Sequence, residues 1–112
     1  MKTITYYIVR HIPTGMCISN KSKSTLSEPE AGSLELFKSI SSAKNYMNRA
    51  IKSWSSNIDD IQRTTEYYTN IMSDPKYNTK DYIIDSYKIY IKLKEVYSHE
   101  PDFEIVDVSF NI

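Results

Sequence analysis

The sequence predicts an α+β fold, in which a small antiparallel or mixed sheet is covered by two or three helices. Three observations predict it. Residues 3–10 follow the period of two that is typical of a strand, residues 40–54 carry apolar side chains at helical spacing, and residues 103–111 are rich in β-branched and aromatic side chains. The 112 residues fit a single domain, 1–112, without room for two separate cores.

The first strand, residues 3–10, begins an N-terminal hairpin. One of its faces is apolar and consists of Ile4, Tyr6 and Ile8. The other face includes Tyr7 and Val9, so we expect the strand to be covered on both sides. Pro13 presets φ and Gly15 permits a positive φ, which predicts a turn and an antiparallel return of the chain.

After the return strand at 16–19, the chain enters a polar segment, 20–33, which contains proline and glycine and has neither a strand nor a helix period. This pattern predicts a surface loop, with Leu26 as its anchor. Residues 34–39 can form a further short strand. Ser39 is suited to cap the helix that follows, because its hydroxyl can accept a hydrogen bond from the first-turn amides.

Two helices are expected next, at 40–55 and 58–73. The first has an apolar stripe that consists of Ile40, Ala43, Met47, Ala50, Ile51 and Trp54. Asn57 can cap the second helix. Pro75 ends it, because proline disfavours helical geometry in the residue before it.

Residues 80–97 fit two interpretations. As a helix capped by Thr79, the segment carries charged residues on one face, and as a strand it alternates apolar residues with lysines. A strand of this length would be unusual, so the helix is favoured. A long helix with Tyr87, Tyr90 and Tyr97 exposed would offer a surface for a homodimer.

The last strand, residues 103–111, carries apolar residues of both parities. Phe103 and Ile105 share one face. The other face consists of Val106, Val108 and Phe110. Either both faces are covered or a bulge shifts the register. We expect so strong a strand to lie inside the sheet rather than at its edge.

Charge and composition argue against several classes of function. The 14 basic and 14 acidic residues cancel, which leaves no global field to attract nucleic acid or an anionic membrane surface. No apolar stretch reaches the roughly 18 to 20 residues of a membrane span. Cys17, the single cysteine, fits a reducing compartment. We therefore expect a cytoplasmic protein without membrane contact.

The sequence also lacks the motifs of common enzymes. It has two glycines and no GxxxxGK[ST], GxGxxG or GxSxG motif, so little backbone is available to cradle a phosphate. His11, Cys17 and His99 have no paired spacing, which argues against a zinc site. A Cys17–His11 nucleophile pair across the hairpin is an enzymatic alternative, but a cysteine in an apolar strand is more often an inert packing residue. We expect no catalytic residue, metal or cofactor.

Aromatic and cationic side chains instead indicate a binding surface. Ten tyrosines supply amphipathic rings, and interfaces are enriched in Tyr, Trp and Arg. The candidate contact residues, expected to be exposed, are Tyr7, Arg10 and His11 at the rim of the hairpin, together with one ring among Tyr67, Tyr87 and Tyr90. The alternative is a nucleic-acid or nucleotide-binding patch formed by Lys21, Lys23, Arg10 and nearby rings.

Three segments resemble a known class of protein. They are YYIVRHIPTG at 6–15, LFKSISSAKNYMNRAIKSW at 36–54 and FEIVDVSF at 103–110. In this order they resemble small accessory proteins encoded by tailed bacteriophages, in which a VRH strand with a PTG turn precedes an LF-S-AK helix and an EIV-V strand closes the chain. The resemblance implies a non-enzymatic protein that acts in the host cytoplasm by binding a host protein. The host proteins bound by this class include components of anti-phage defence systems.

Overall fold

The computed structural model describes residues 2–21, 26–29 and 32–112. The elements, in chain order, are strands β1 (Thr3–His11), β2 (Cys17–Ile18) and β3 (Leu26–Ser27), helices α1 (Ile40–Met72) and α2 (Asp81–Val96), and strand β4 (Phe103–Asn111). The strands form an antiparallel sheet in the order β3-β2-β1-β4, which confirms the predicted α+β class. The chain divides into two compact units, Met1–Lys52 with Pro101–Ile112, and Ser53–Glu100.

The N-terminal hairpin of the first unit forms as predicted. Gly15 takes a positive φ of 73° in the turn, a conformation that is accessible at little cost only without a Cβ atom. The amide of Gly15 donates to the carbonyl of His11, and the amide of His11 donates to the carbonyl of Met16, each at 2.7 Å. The return strand is shorter than expected, because β2 spans two residues and Ser19 forms an isolated bridge to Leu34.

β4 pairs with β1 along its whole length. The register runs without a bulge from Thr3↔Asn111 to His11↔Phe103. The bounds of β4 coincide with the predicted strand at 103–111. The expectation that this strand lies inside the sheet is wrong. β1 takes the inner position because it has β2 on one side and β4 on the other, so β4 is the last strand on its side of the described sheet.

The register gives the sheet two faces, here called the inner and the outer face. The buried cluster on the inner face consists of Val9, Ile18, Phe37 and Ala43. Tyr46 and Met47, in the first turns of α1, pack against this cluster. The outer face consists of Ile4, Tyr6 and Ile8 of β1, paired with Phe110, Val108 and Val106 of β4. These six side chains are half-buried or exposed, so the prediction that both faces are covered is wrong for the outer face.

The segment between the hairpin and α1 contributes to the sheet. Leu26, the predicted anchor, packs against the buried cluster and belongs to β3, a strand that the sequence pattern did not predict. The strand predicted at 34–39 is wrong, because its residues form isolated bridges through Leu34 and Phe37. Phe37 exchanges two backbone hydrogen bonds of 2.8 Å with Tyr7, and α1 begins shortly afterwards, which leaves no length for a strand.

α1 is one helix where two were expected. Ser39 caps it as predicted, because its hydroxyl accepts a hydrogen bond from the amide of Ser42 at 3.1 Å. The break expected before Asn57, and the capping role of that residue, are wrong. Neither proline nor glycine interrupts the backbone there. The Asn57 side chain instead donates to the hydroxyls of Ser53 and Tyr97, each at 3.4 Å.

The second unit contains the C-terminal part of α1 and all of α2. α1 ends at Met72, ahead of Pro75, as predicted. Residues 80–97 are helical, which confirms the favoured interpretation, but the predicted cap at Thr79 is wrong. The N-cap is Lys80, which makes no side-chain capping bond. Two or three helices were expected to cover the sheet. The first turns of α1 belong to the unit that contains the sheet, whereas α2 belongs to the other unit.

Aromatic contacts hold the two helical segments of the second unit antiparallel. The ring centroids of Trp54 and Tyr97 are 4.2 Å apart, and those of Tyr68 and Tyr90 are 5.5 Å apart. Nε1 of Trp54 also donates to the carbonyl of His99 at 3.1 Å. Trp54 is therefore buried, and the indole N–H of its side chain has a hydrogen-bond acceptor.

Candidate functional site

Arg10, a predicted contact residue, lies at the hairpin end of the outer face. It stands opposite Glu104, and Nη1 of the guanidinium donates to Oε1 of the carboxylate at 2.7 Å. The two side chains are 45 and 39% exposed, so water screens the ion pair and it contributes little to stability. The pair places a polar boundary beside the apolar side chains of the outer face.

His11, the next residue, points to the inner face and is fully buried. Its Nδ1 lies 2.7 Å from Oγ1 of Thr14, and its ring centroid lies 5.1 Å from that of Phe103. The expectation that His11 is exposed is wrong, because alternation along β1 turns it inward. Tyr7 shares this face and packs half-buried against the core cluster, so the exposure expected for Tyr7 is also wrong.

Cys17 and His11 do not form a nucleophile pair. Cys17 stands opposite Arg10, so its side chain lies on the side of the sheet away from His11. Burial raises the pKa of the Cys17 thiol, and the nearby Arg10 guanidinium offsets this effect in part. The thiol makes a weak 3.8 Å hydrogen bond to the carbonyl of Gly15. Its protonated, enclosed state is typical of a packing residue.

The tyrosines predicted as contacts in α1 and α2 belong to the second unit. Tyr67 is 61% exposed, which confirms that one ring of the three is accessible. Tyr87 and Tyr90 are half-buried. Tyr68 connects two of the predicted rings, because its centroid lies 5.4 Å from that of Tyr67 and 5.5 Å from that of Tyr90.

The exposed tyrosine surface expected for a homodimer is not formed by α2. Tyr87, Tyr90 and Tyr97 are all half-buried. Tyr97 packs against Trp54, and burial raises the pKa of its hydroxyl, while the hydrogen bond from Asn57 acts in the opposite direction. Tyr90 and Tyr97 therefore pack inside the second unit.

The outer face combines apolar chemistry with exposure. Ile4 and Phe110 are opposite one another and are 38 and 45% exposed. Tyr6 meets Phe110 edge to face, with ring centroids 6.0 Å apart and planes at 66°. Ile112 extends the same face at the far end, where it is 70% exposed and exchanges two backbone hydrogen bonds with Lys2.

The sequence contained both halves of this surface, but the pattern did not identify it as a site. Alternation grouped Ile4, Tyr6 and Ile8 on one face of the first strand, and it grouped the three apolar residues of the last strand in the same way. The information that joins the two halves is the pairing of β1 with β4. Local periodicity carries no such information, because the two strands come from opposite ends of the chain.

The alternative cationic patch for nucleic acid receives no support from the described residues. Lys21 is exposed, but Arg10 is already paired with Glu104. Lys23 lies outside the residues that the structure describes. Across residues 2–21, 26–29 and 32–112, no group of three or more His, Cys, Asp or Glu side chains could hold a metal ion.

The second unit has a mostly apolar depression between its helical segments. It has a volume of about 200 Å³ and is lined by Ile58, Ile61, Gln62, Lys94, Tyr97 and Ser98. Ligand pockets usually range from about 300 to 1,000 Å³. This depression is small for a metabolite site, so it is a weaker candidate than the outer face.

Comparison of the chain with protein-family models, curated proteins and solved structures finds no match. In the part of the chain that the structure describes, neither helix combines the length and the apolar character needed to cross a membrane. The candidate site therefore depends on the geometry of the chain itself, which singles out the outer face.

Proposed function

We propose that this chain is a non-enzymatic binding protein whose outer face receives another protein. The observation that carries the proposal is the grouping of six apolar side chains on one partly exposed face of β1 and β4. Contiguous exposed apolar surface commonly marks an interaction site. A partner that removes this surface from water gains the corresponding hydrophobic free energy.

Two aromatic residues are the proposed anchors of the contact. Tyr6 and Phe110 lie edge to face on the outer face, and rigid aromatic side chains contribute disproportionately to binding energy. The Arg10–Glu104 ion pair supplies a solvated polar rim at one end. An apolar centre with a polar rim is the usual composition of a protein interface.

The proposed partner is a host protein, and a component of an anti-phage defence system is the class we favour. The support is the resemblance of three segments, including β1 and β4, to bacteriophage accessory proteins. Zero net charge favours a protein partner over nucleic acid. The burial of His11 and Cys17 away from each other supports binding rather than catalysis.

Affinity capture with matched variants tests the proposal. The tagged chain is incubated with nuclease-treated bacterial lysate, and captured proteins are quantified by mass spectrometry. Tyr6→Ala with Phe110→Ala removes both anchors, and Tyr67→Ala removes an exposed tyrosine outside the outer face. We expect the double variant to reduce capture of the host protein roughly tenfold or more, and Tyr67→Ala to leave it unchanged.

Equal capture by the double variant and the unmodified chain would contradict the proposal. Loss of capture by Tyr67→Ala alone would move the contact to the second unit, and a partner released by nuclease would indicate nucleic acid. Thermal unfolding followed by circular dichroism controls for folding. If the double variant unfolds early, Phe110→Ala alone provides the comparison, because this side chain is 45% exposed.

A further inference from the structure

The free edge of β4 presents backbone hydrogen-bonding groups in a defined pattern. Lys2 and Ile112 exchange two backbone hydrogen bonds, at 3.0 and 2.8 Å, which sets the alternation along the β1–β4 ladder. Even-numbered residues of β4 therefore direct their N–H and C=O groups toward β1, and odd-numbered residues direct theirs outward. Among the described residues, no hydrogen bond occupies the outward groups of Ile105, Asp107 and Ser109.

This edge lacks most of the features that prevent strands from pairing. β4 has nine residues, contains no proline and pairs without a bulge. Sheet edges are commonly protected by short strands, prolines, bulges or charges. The one such feature in the middle of β4 is Asp107. Its carboxylate therefore restricts which registers a second strand can adopt.

We propose that a second copy of this chain pairs with this edge, with the two β4 strands antiparallel about a twofold axis at Val108. Outward-directed groups must meet, so odd-numbered residues pair with odd-numbered residues. An axis at Asp107 would place two carboxylates opposite each other. An axis at Ser109 would pair only residues 107–111 of β4, because the strand ends at Asn111. An axis at Val106 would set Asp107 opposite the apolar Ile105 of the partner subunit. An axis at Val108 avoids these pairings, because it sets Asp107 opposite Ser109 of the partner subunit.

The same register matches side chains on the outer face. Val108 meets Val108 of the partner subunit, and Val106 meets Phe110 of the partner subunit. The two outer faces then join into one apolar surface across a continuous sheet. Pairing at the edge enlarges this surface without covering it, so the dimer does not depend on the proposed host-protein contact.

A matched pair of charge variants tests the register. Ser109→Asp faces Asp107 of the partner subunit with a like charge, and Ser109→Lys faces it with an opposite charge. Both variants remove the Ser109 hydroxyl that bonds Thr5 at 3.0 Å, so the loss of this hydroxyl contact is common to them, and thermal unfolding of each variant controls for its own effect on the fold. By sedimentation equilibrium of the purified chain, we expect Ser109→Asp to weaken the dimer roughly tenfold. Ser109→Lys dimerises at least as tightly as the unmodified chain at low salt.

Cysteine cross-linking tests the position of the axis. Val108→Cys meets its own copy across the axis at a Cα separation of about 4.5 Å, which permits a disulfide. Phe110→Cys is the control, because residue 110 lies on the same face but meets residue 106 of the other copy. We expect mild oxidation to yield a covalent dimer much faster with Val108→Cys. Cys17 is buried and does not compete.

Three results would overturn the proposal. They are a chain that sediments as a monomer at every soluble concentration, equal dimer affinity for the two Ser109 variants, and equal cross-linking of the two cysteine variants. All these measurements use the purified chain. A negative result for the dimer is therefore distinguishable from a failure of the chain to capture a host protein.

Discussion

The outer face of the β1–β4 pair is more exposed than the inner face, although it is not the less apolar of the two. On the inner face, Val9 and His11 are 1 and 0% exposed, but the face becomes polar toward the chain termini. There, Thr3 bonds Asn111 and Thr5 bonds Ser109. The outer face is apolar at this end of the strands, yet Ile4 and Phe110 are 38 and 45% exposed. At this end, the more apolar face is thus the one that the fold covers less.

This difference separates the part of the sheet that stabilises the fold from the part that is available for binding. Burial against α1 gives the inner face its contribution to stability. The outer side chains retain contact with water, so they contribute less to folding and can contribute to association. Substitutions matched in chemistry but placed on opposite faces measure this separation directly.

The largest difference is expected between two isoleucines. Ile18→Ala empties a site that is 2% exposed and should lower the free energy of unfolding by roughly 2 to 5 kcal/mol. Ile4→Ala removes the same atoms from a side chain that is 38% exposed and should cost about 1 kcal/mol or less. Urea unfolding followed by circular dichroism measures both. Equal losses would mean that the outer face is part of the core.

A smaller difference is expected between the neighbours His11 and Arg10. His11→Ala removes a buried ring and its contact with Thr14, and should cost roughly 2 to 3 kcal/mol. Arg10→Ala breaks an exposed ion pair and should cost less than about 1 kcal/mol. The shift in urea midpoint checks this order. A reversal would show that the ion pair, rather than the buried imidazole, fixes the end of the hairpin.

The smallest effect concerns Cys17, which is buried although it lies on the side opposite His11. Because burial raises the pKa of this thiol, the unfolded chain releases the proton at lower pH than the folded chain. The associated stability is present below the unfolded pKa and is lost as pH rises through the folded pKa. Alkylation by iodoacetamide should therefore begin at higher pH in the folded chain than in urea.

Cys17→Ser provides the control for this measurement. The serine variant should not be alkylated. It should also lose less stability at alkaline pH, because it has no thiol to ionise. Identical pH profiles for the folded and unfolded chain would show that Cys17 is accessible to solvent. In that case the exposed region would extend past Arg10 to the turn.

Elements with local determinants were predictable from the sequence. Gly15 in the turn and the Ser39 cap act through their own backbone and hydroxyl groups. The strand at 103–111 was recognisable from its β-branched and aromatic residues. The break expected at Asn57 failed because a side chain that can cap a helix can also bond within one.

The candidate site was less predictable, because it depends on contacts between distant parts of the chain. Alternation separated the two faces of β1, but it could not show which of them α1 would cover. Tyr7 and His11 were expected to be exposed because they lie at the rim of the hairpin, although both point to the inner face. The position of β4 at the sheet edge likewise follows from strand order, which no single segment encodes.

The pairing of β1 with β4 also determines the order of folding. Thr3 and Asn111 meet across a separation of 108 residues, whereas the helices form through local contacts. Closing a loop of this length is slow compared with helix formation. During translation, β4 leaves the ribosome after both helices, so β1 waits with one edge unpaired and its apolar side chains in water. We therefore expect the chain to be most prone to aggregation before β4 pairs with β1 and closes the sheet.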